Sequence, residues 1–331
     1  MTQKPQTTRD HGGNLDAAIA AFGGSRMDWI DLSTGINPLP YPVPEIPPHA
    51  WSTLPTNDAV KALEDAASRA YGTTAEIVAL AGAQAAIQLV PRIGNGRDAR
   101  VLGPTYNEHA AALTAQGWDV TTVDRFEALR GAALAVVVNP NNPDGQCWAP
   151  GALTELAGAV DLLVVDESFA DPCSDLSLAP KLSDHRNILV LRSFGKFYGL
   201  AGLRLGFALG SRAHIDRIRT LAGPWAVNGP AIVTGCAALE DRDWTQATRA
   251  RLTRDAARLD ALATRAGWSL VGGTPLFRTY ETGDATAAQT HLARHHIWSR
   301  IFPYSRTWLR LGLAGPETDW LRLDRALSEL A

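Results

Sequence analysis

DLLVVDESFADP, residues 161–172, is the stretch whose reading decides the fold: four apolar residues run uninterrupted and end on Asp166. Continuous apolar character, as opposed to alternation, marks a strand buried on both faces, as in a parallel sheet covered by helices. Six further runs repeat the pattern at helix-length spacing: EIVALAG (76–82), ARVLGP (99–104), WDVTTV (118–123), ALAVVVNP (133–140), NILVLRS (187–193) and LRLGFALG (203–210). Seven such runs predict an α/β fold, a large domain over residues 50–225 with a mostly parallel seven-stranded sheet.

Downstream, residues 229–267 read as two successive helices, the second long and amphipathic. Strand-like WSLVG, PLFRTYE and TWLRLGL follow, with helices at 286–296 and 317–330, so residues 226–331 are expected to form a smaller α+β domain. Residues 1–49 include the proline-rich INPLPYPVPEIPPH (36–49) and suit an extended arm lying along the small domain or the cleft.

The chain has 331 residues, 46% hydrophobic and 20% charged, enough to bury one large core or two unequal ones. Its 31 basic and 34 acidic residues show no cationic run of the kind that binds nucleic acid or anionic lipid. The N-terminus carries no apolar signal segment and no stretch is long enough to span a bilayer, so a cytoplasmic protein is expected. Cys147, Cys173 and Cys236 form no CxxC and read as reduced, individually buried thiols without a metal.

RSFGKFYGLAGLRLGF (192–207) places Ser193, Lys196 and Arg204 on a loop after a strand. A lone lysine between Gly195 and Phe197 would be an ordinary loop lysine. A hydroxyl and a guanidinium flanking it would bind a phosphate dianion and bring an aldehyde of a phosphorylated cofactor to the amine. Asp166 stands at the carboxyl end of its strand, where open α/β sheets bind ligands, and can pair with a protonated pyridine nitrogen. A helix cap or turn is the ordinary alternative for such an Asp. Asn142 in NPNNPDG could donate to a phenolic oxygen, although that segment is a turn signal in its own right. Gly82, Ala83 and Gln84 open a helix directly after a strand and offer backbone N–H groups to a phosphate. The Tyr106 ring could stack on a pyridine ring or simply pack in the core.

Five compatible elements at successive strand ends resemble the fold-type I pyridoxal-phosphate (PLP) enzymes of the aspartate aminotransferase superfamily. The resemblance rests on NPNNPDG, DESFADP and SFGKFYGLAGLRLGF. It implies a PLP-dependent transferase fold, with the cofactor held by Lys196 as a Schiff base, and a site at a homodimer interface.

HGGNLDAAIAAFG (11–23), DLSTGINPLPYP (31–42), GPWAVNGPA (223–231) and FPYSRTWLRLGL (302–313) extend the resemblance to the L-threonine-O-3-phosphate decarboxylases of cobalamin biosynthesis. That family implies decarboxylation of the phosphorylated amino acid to (R)-1-amino-2-propanol O-phosphate. Arg310 then corresponds to the arginine for the substrate carboxylate. His11, Gly12 and Gly13 suggest an anion-binding nest in the arm, or a loose tail. Asn37, Asn142, Trp225 and Asn228 are further candidate substrate contacts. Phe169 stands where aminotransferases of the superfamily carry a Tyr that bonds the cofactor's phenolic oxygen, which favours the decarboxylase. Leu54-Pro55 departs from the Tyr-Pro of many relatives, so phosphate binding should rest more on Ser193, Arg204 and the Gly82 helix start. An aminotransferase for a phosphorylated substrate such as histidinol phosphate, and an inactive partner in corrin assembly, are the alternatives.

Overall fold

The structure is a computed structural model that describes residues 11–330. The described chain opens on a helix, Leu15–Phe22, and the two-residue strand β1 (Ile30–Asp31). Seven strands follow: β2 (Glu76–Leu80), β3 (Asp98–Leu102), β4 (Asp119–Val123), β5 (Leu134–Val138), β6 (Leu162–Asp166), β7 (Ile188–Ser193) and β8 (Gly206–Gly210). They form one sheet in the order β2-β8-β7-β6-β5-β3-β4, parallel except at β8, which runs antiparallel to both neighbours. All seven apolar runs of the sequence are in it.

The two faces of this sheet divide the core. Leu163, Val165, Ile188 and Val190 join one buried cluster, and Leu162, Val164, Leu189 and Leu191 the other. Both faces are covered, which is why these strands read as continuous apolar runs. Only the edge strand β4 exposes side chains on both faces.

Helices Gly229–Glu240 and Arg242–Arg265 lead to a second sheet. β9 (Ser269–Thr274) and β10 (Phe277–Glu281) precede β11 (Ile297–Trp298), β12 (Arg300–Phe302) and β13 (Ser305–Gly312). The antiparallel order is β12-β13-β10-β9, while β11 pairs with β1. Part of the arm is thus helical: Asn14 caps Leu15–Phe22 by accepting from the Ala17 amide. Residues 32–47 contain neither helix nor strand and run along the Lys196 turn, through Asn37 N–H to Lys196 O and Tyr41 N–H to Tyr198 O. The expectation of buried thiols is corrected. Cys147 is exposed, because it follows the turn that ends NPNNPDG, and Cys173 and Cys236 are partly exposed.

Candidate active site

Strand register assembles one end of the site. Leu80 of β2 and Ser193 of β7 both lie opposite Gly206 of β8. Gly82, two residues past Leu80, and Arg204, two before Gly206, therefore emerge beside Ser193. A Cβ on Gly206 would sit 2.4 Å from the Ala83 nitrogen, so glycine is needed for the helix Ala83–Leu89 to start this close to the sheet. Arg204 takes a left-handed backbone (φ 55°), and its Nη2 lies so near Gly82 that a Cβ there would be 2.8 Å away. Ser193, Arg204 and the amino end of a helix all line one cavity of about 450 Å³, within the range for small-molecule sites.

Lys196 lies on a single helical turn, Phe194–Phe197, and not on a loop. The turn is braced by Asn37, whose amide donates to Phe197 O at 2.8 Å and whose Oδ1 accepts from Arg251 at 2.6 Å. Asn37 is buried with these functions spent, so it positions the lysine turn and does not line the cavity, correcting its assignment as a substrate contact. Lys196 Nζ sits 5.6 Å from the centre of the Phe169 ring. Burial, then the positive charge of Arg310 and of Arg204, push the Lys196 amine down to about 8 against the pull of Asp166.

Asp166 is buried at the end of β6. Burial raises its pKa, but hydrogen bonds from His109 (2.8 Å) and Ser168 outweigh that and hold the carboxyl below its ordinary value. His109 and Ser168 were not singled out from the sequence. No pattern in the sequence marks His109: its role arises from burial against the end of β6, which lies far along the chain. Side-chain alternation also separates Asp166 from Glu167. The latter faces the opposite side of the sheet, where it and Asp171 enclose Arg192 in a buried ion network.

Tyr106 lines the cavity and donates to Gln84 Oε1 at 3.2 Å. The Gln84 amide reaches Glu108 at 3.1 Å, and Glu108 meets His11 Nε2 at 3.0 Å. His11 thus comes from the arm to the rim of the cavity. The proposed glycine nest is not open, because the Gly13 amide donates to Ser33 Oγ at 2.7 Å and Gly12 packs against the Ser33 carbonyl.

A second compartment of about 270 Å³ shares His11, Tyr106, Asn142, Phe169 and Lys196 with the first and adds Arg300 and Arg310. Arg310, on β13 and paired in register with Arg300 of β12, is buried. It donates to Asn142 Oδ1 and, at 2.6 Å, to Ser33 O. No carboxylate lies within ion-pair distance of Arg310 among the described residues, and burial together with Arg300 pulls it down to about 10. Phe169 packs edge-on against Phe277 at 4.9 Å and presents no hydroxyl. Arg300 was missed in the sequence, since an arginine on a three-residue strand carries no pattern.

Trp225 and Asn228 are not brought to either compartment. They border a separate surface depression with Trp51 and Leu54. Asn228 caps the helix Gly229–Glu240 through the Ala231 amide, and Trp225 is 56% exposed.

The donor set fits PLP: a cationic, glycine-lined end for a phosphate, an ionised buried carboxylate, and a lysine of depressed pKa between them. Residues 28–327 match the model of the aminotransferase class I and II family. A threonine-phosphate decarboxylase of Sinorhizobium sp is 41% identical over 97% of this chain and 98% of its own. That of Pseudomonas aeruginosa is 42% identical over 96% and 97%. The solved histidinol-phosphate aminotransferase of Sinorhizobium meliloti, in complex with PLP, shares the fold with TM-score 0.83 and 19% identity over 100% of this chain and 98% of its own. On the site geometry and these full-length similarities, the chain belongs to the aminotransferase class I and II family and, within it, to the threonine-phosphate decarboxylases.

Proposed function

We propose that the chain decarboxylates L-threonine O-3-phosphate to (R)-1-amino-2-propanol O-phosphate, with PLP as cofactor, in cobalamin biosynthesis. The observation that carries this is Arg310, a buried cation without a carboxylate partner beside Lys196, in a site whose full-length relatives bear that name. Arg204, Ser193 and the start of helix Ala83–Leu89 would hold the cofactor phosphate. Asp166 would pair with the pyridine nitrogen and favour its protonated form, Tyr106 would pack on the ring, and the Asn142 amide, its oxygen already engaged by Arg310, would be free to donate to the phenolic oxygen. PLP, once bound, supplies the electron sink for the pair left when carbon dioxide departs.

Arg310 would bind the substrate carboxylate and so orient the bond between it and Cα for cleavage. Arg300 and His11 flank the compartment where the substrate phosphate sits. Lys196, titrating near 8, hands a proton from Nζ to Cα, replacing the carbon dioxide lost. Holoenzyme incubated with L-threonine O-3-phosphate and no 2-oxo acid tests this. Carbon dioxide and aminopropanol phosphate are the expected products, and turnover only with 2-oxoglutarate overturns the reading.

We further propose that two-domain chains pair as a homodimer in the cytoplasm. Trp51, Leu54 and Trp225, all more than half exposed, border one depression, an apolar concentration that suits burial against a second copy. No helix of the described residues is long and apolar enough to cross a membrane. Light scattering of the holoenzyme measures the oligomer; a monomer overturns it.

A further inference from the structure

We propose that His291, His295 and Glu329 form a binding site for a divalent transition-metal ion, zinc above all, that clamps the last helix to its neighbour. The two histidines stand four residues apart at the end of helix Ala285–Arg294 and so share a face, with ring centres 5.1 Å apart. Glu329 follows helix Glu317–Ser328, and its Oε2 lies 3.1 Å from His295 Nε2. One ring nitrogen of each histidine and one carboxylate oxygen lie within 4.8 Å of one another. Tetrahedral zinc, with bonds of about 2.0–2.1 Å, holds its ligands roughly 3.3 Å apart, so small side-chain rotations close the set.

Two surroundings favour an ion here. His291 Nε2 lies 2.7 Å from Ala326 O, a carbonyl that can only accept. Its proton therefore sits on Nε2 and the Nδ1 lone pair is left for a metal, the bracing common to ligating histidines. Both helices also end at this cluster, and their carboxyl ends carry partial negative charge. Imidazole and carboxylate ligands suit zinc, nickel and copper, and Glu329 is exposed enough to leave a coordination position to water. The competing contact of Arg325 with Glu329, 3.6 Å and on the surface, is weak. None of the three residues lines the catalytic compartments.

Calorimetric titration of zinc chloride into chelator-stripped, full-length holoenzyme in phosphate-free buffer tests the site. One ion per chain is expected, with affinity lowered at least about tenfold in H295A and in the size-conserving H295Q. The melting temperature should rise with zinc in the parent protein and not in those variants. Zinc binding of equal strength in H295A and H295Q, as cysteine ligation would produce, overturns the proposal, and so does an absence of binding to the parent at millimolar zinc.

Discussion

His109 Nε2 lies 2.8 Å from Asp166 Oδ2, with both side chains almost wholly shielded from water. The contact keeps a carboxylate charged where burial alone would neutralise it. Asp166 therefore contributes stability above the ordinary carboxyl value of 3.8, lost as pH falls through its lower folded value. In H109N the carboxyl pKa rises. We expect kcat to fall roughly 10- to 100-fold, the worth of a hydrogen bond to a buried charge, and the acid limb of the kcat profile to move to higher pH.

Lys196 works in the opposite sense. Its folded pKa of about 8 lies below the ordinary 10.5, so the folded chain disfavours the ammonium. This cost is full below pH 8, shrinks between 8 and 10.5, and is gone above. Cofactor-free K196M should therefore melt higher than the cofactor-free parent at pH 7, by up to about 3 kcal/mol of stability. The gap should close toward pH 10.5 in thermal scans, and K196M should show no visible cofactor band.

Arg310 spans Asn142 and Ser33 with one planar fork, which a lysine does not reproduce. R310K should lower kcat/KM for threonine phosphate about 100-fold in steady-state assays, while cofactor binding, which rests on the other end of the cavity, stays within about threefold.

Gly82 combines φ of 85° with an arginine where its Cβ would be. G82A should cost roughly 1–2 kcal/mol in chemical denaturation and displace the Arg204 guanidinium. PLP retention on dialysis should fall at least tenfold.

Phe169 lines the cavity with a ring that has no hydroxyl, so in the proposed site it would offer the cofactor's phenolic oxygen no donor. F169Y should supply one, stabilising the phenolate form and lowering the pH midpoint of the cofactor's visible band in a spectroscopic titration.

Much of the fold was legible because a buried parallel sheet needs uninterrupted apolar runs, and seven of them are written plainly. That Lys196, Asp166, Ser193 and Arg204 meet in one cavity was legible for a related reason: each stands at or near a strand end, and strand ends of such a sheet share one edge. Arg300 and His109 were not, since neither stands in a pattern of its own and their roles arise from register and from packing against distant residues. Asn37, Trp225 and Asn228, expected as substrate contacts on the family resemblance, lie outside both compartments, because a shared motif does not say whether a side chain faces a cavity, a backbone carbonyl or solvent.

The sequence by itself determined which residues could bind a phosphorylated cofactor and its charges, because residue type sets donor and acceptor, and spacing puts them at strand ends. Only the tertiary structure decided what those charges do. The burial of Lys196 beside Arg310 lowers its pKa, the His109 contact keeps Asp166 ionised, and the Ser33 hydroxyl closes the Gly13 nest. These effects depend on distances of a few ångströms between segments far apart in the chain, which local patterning does not encode.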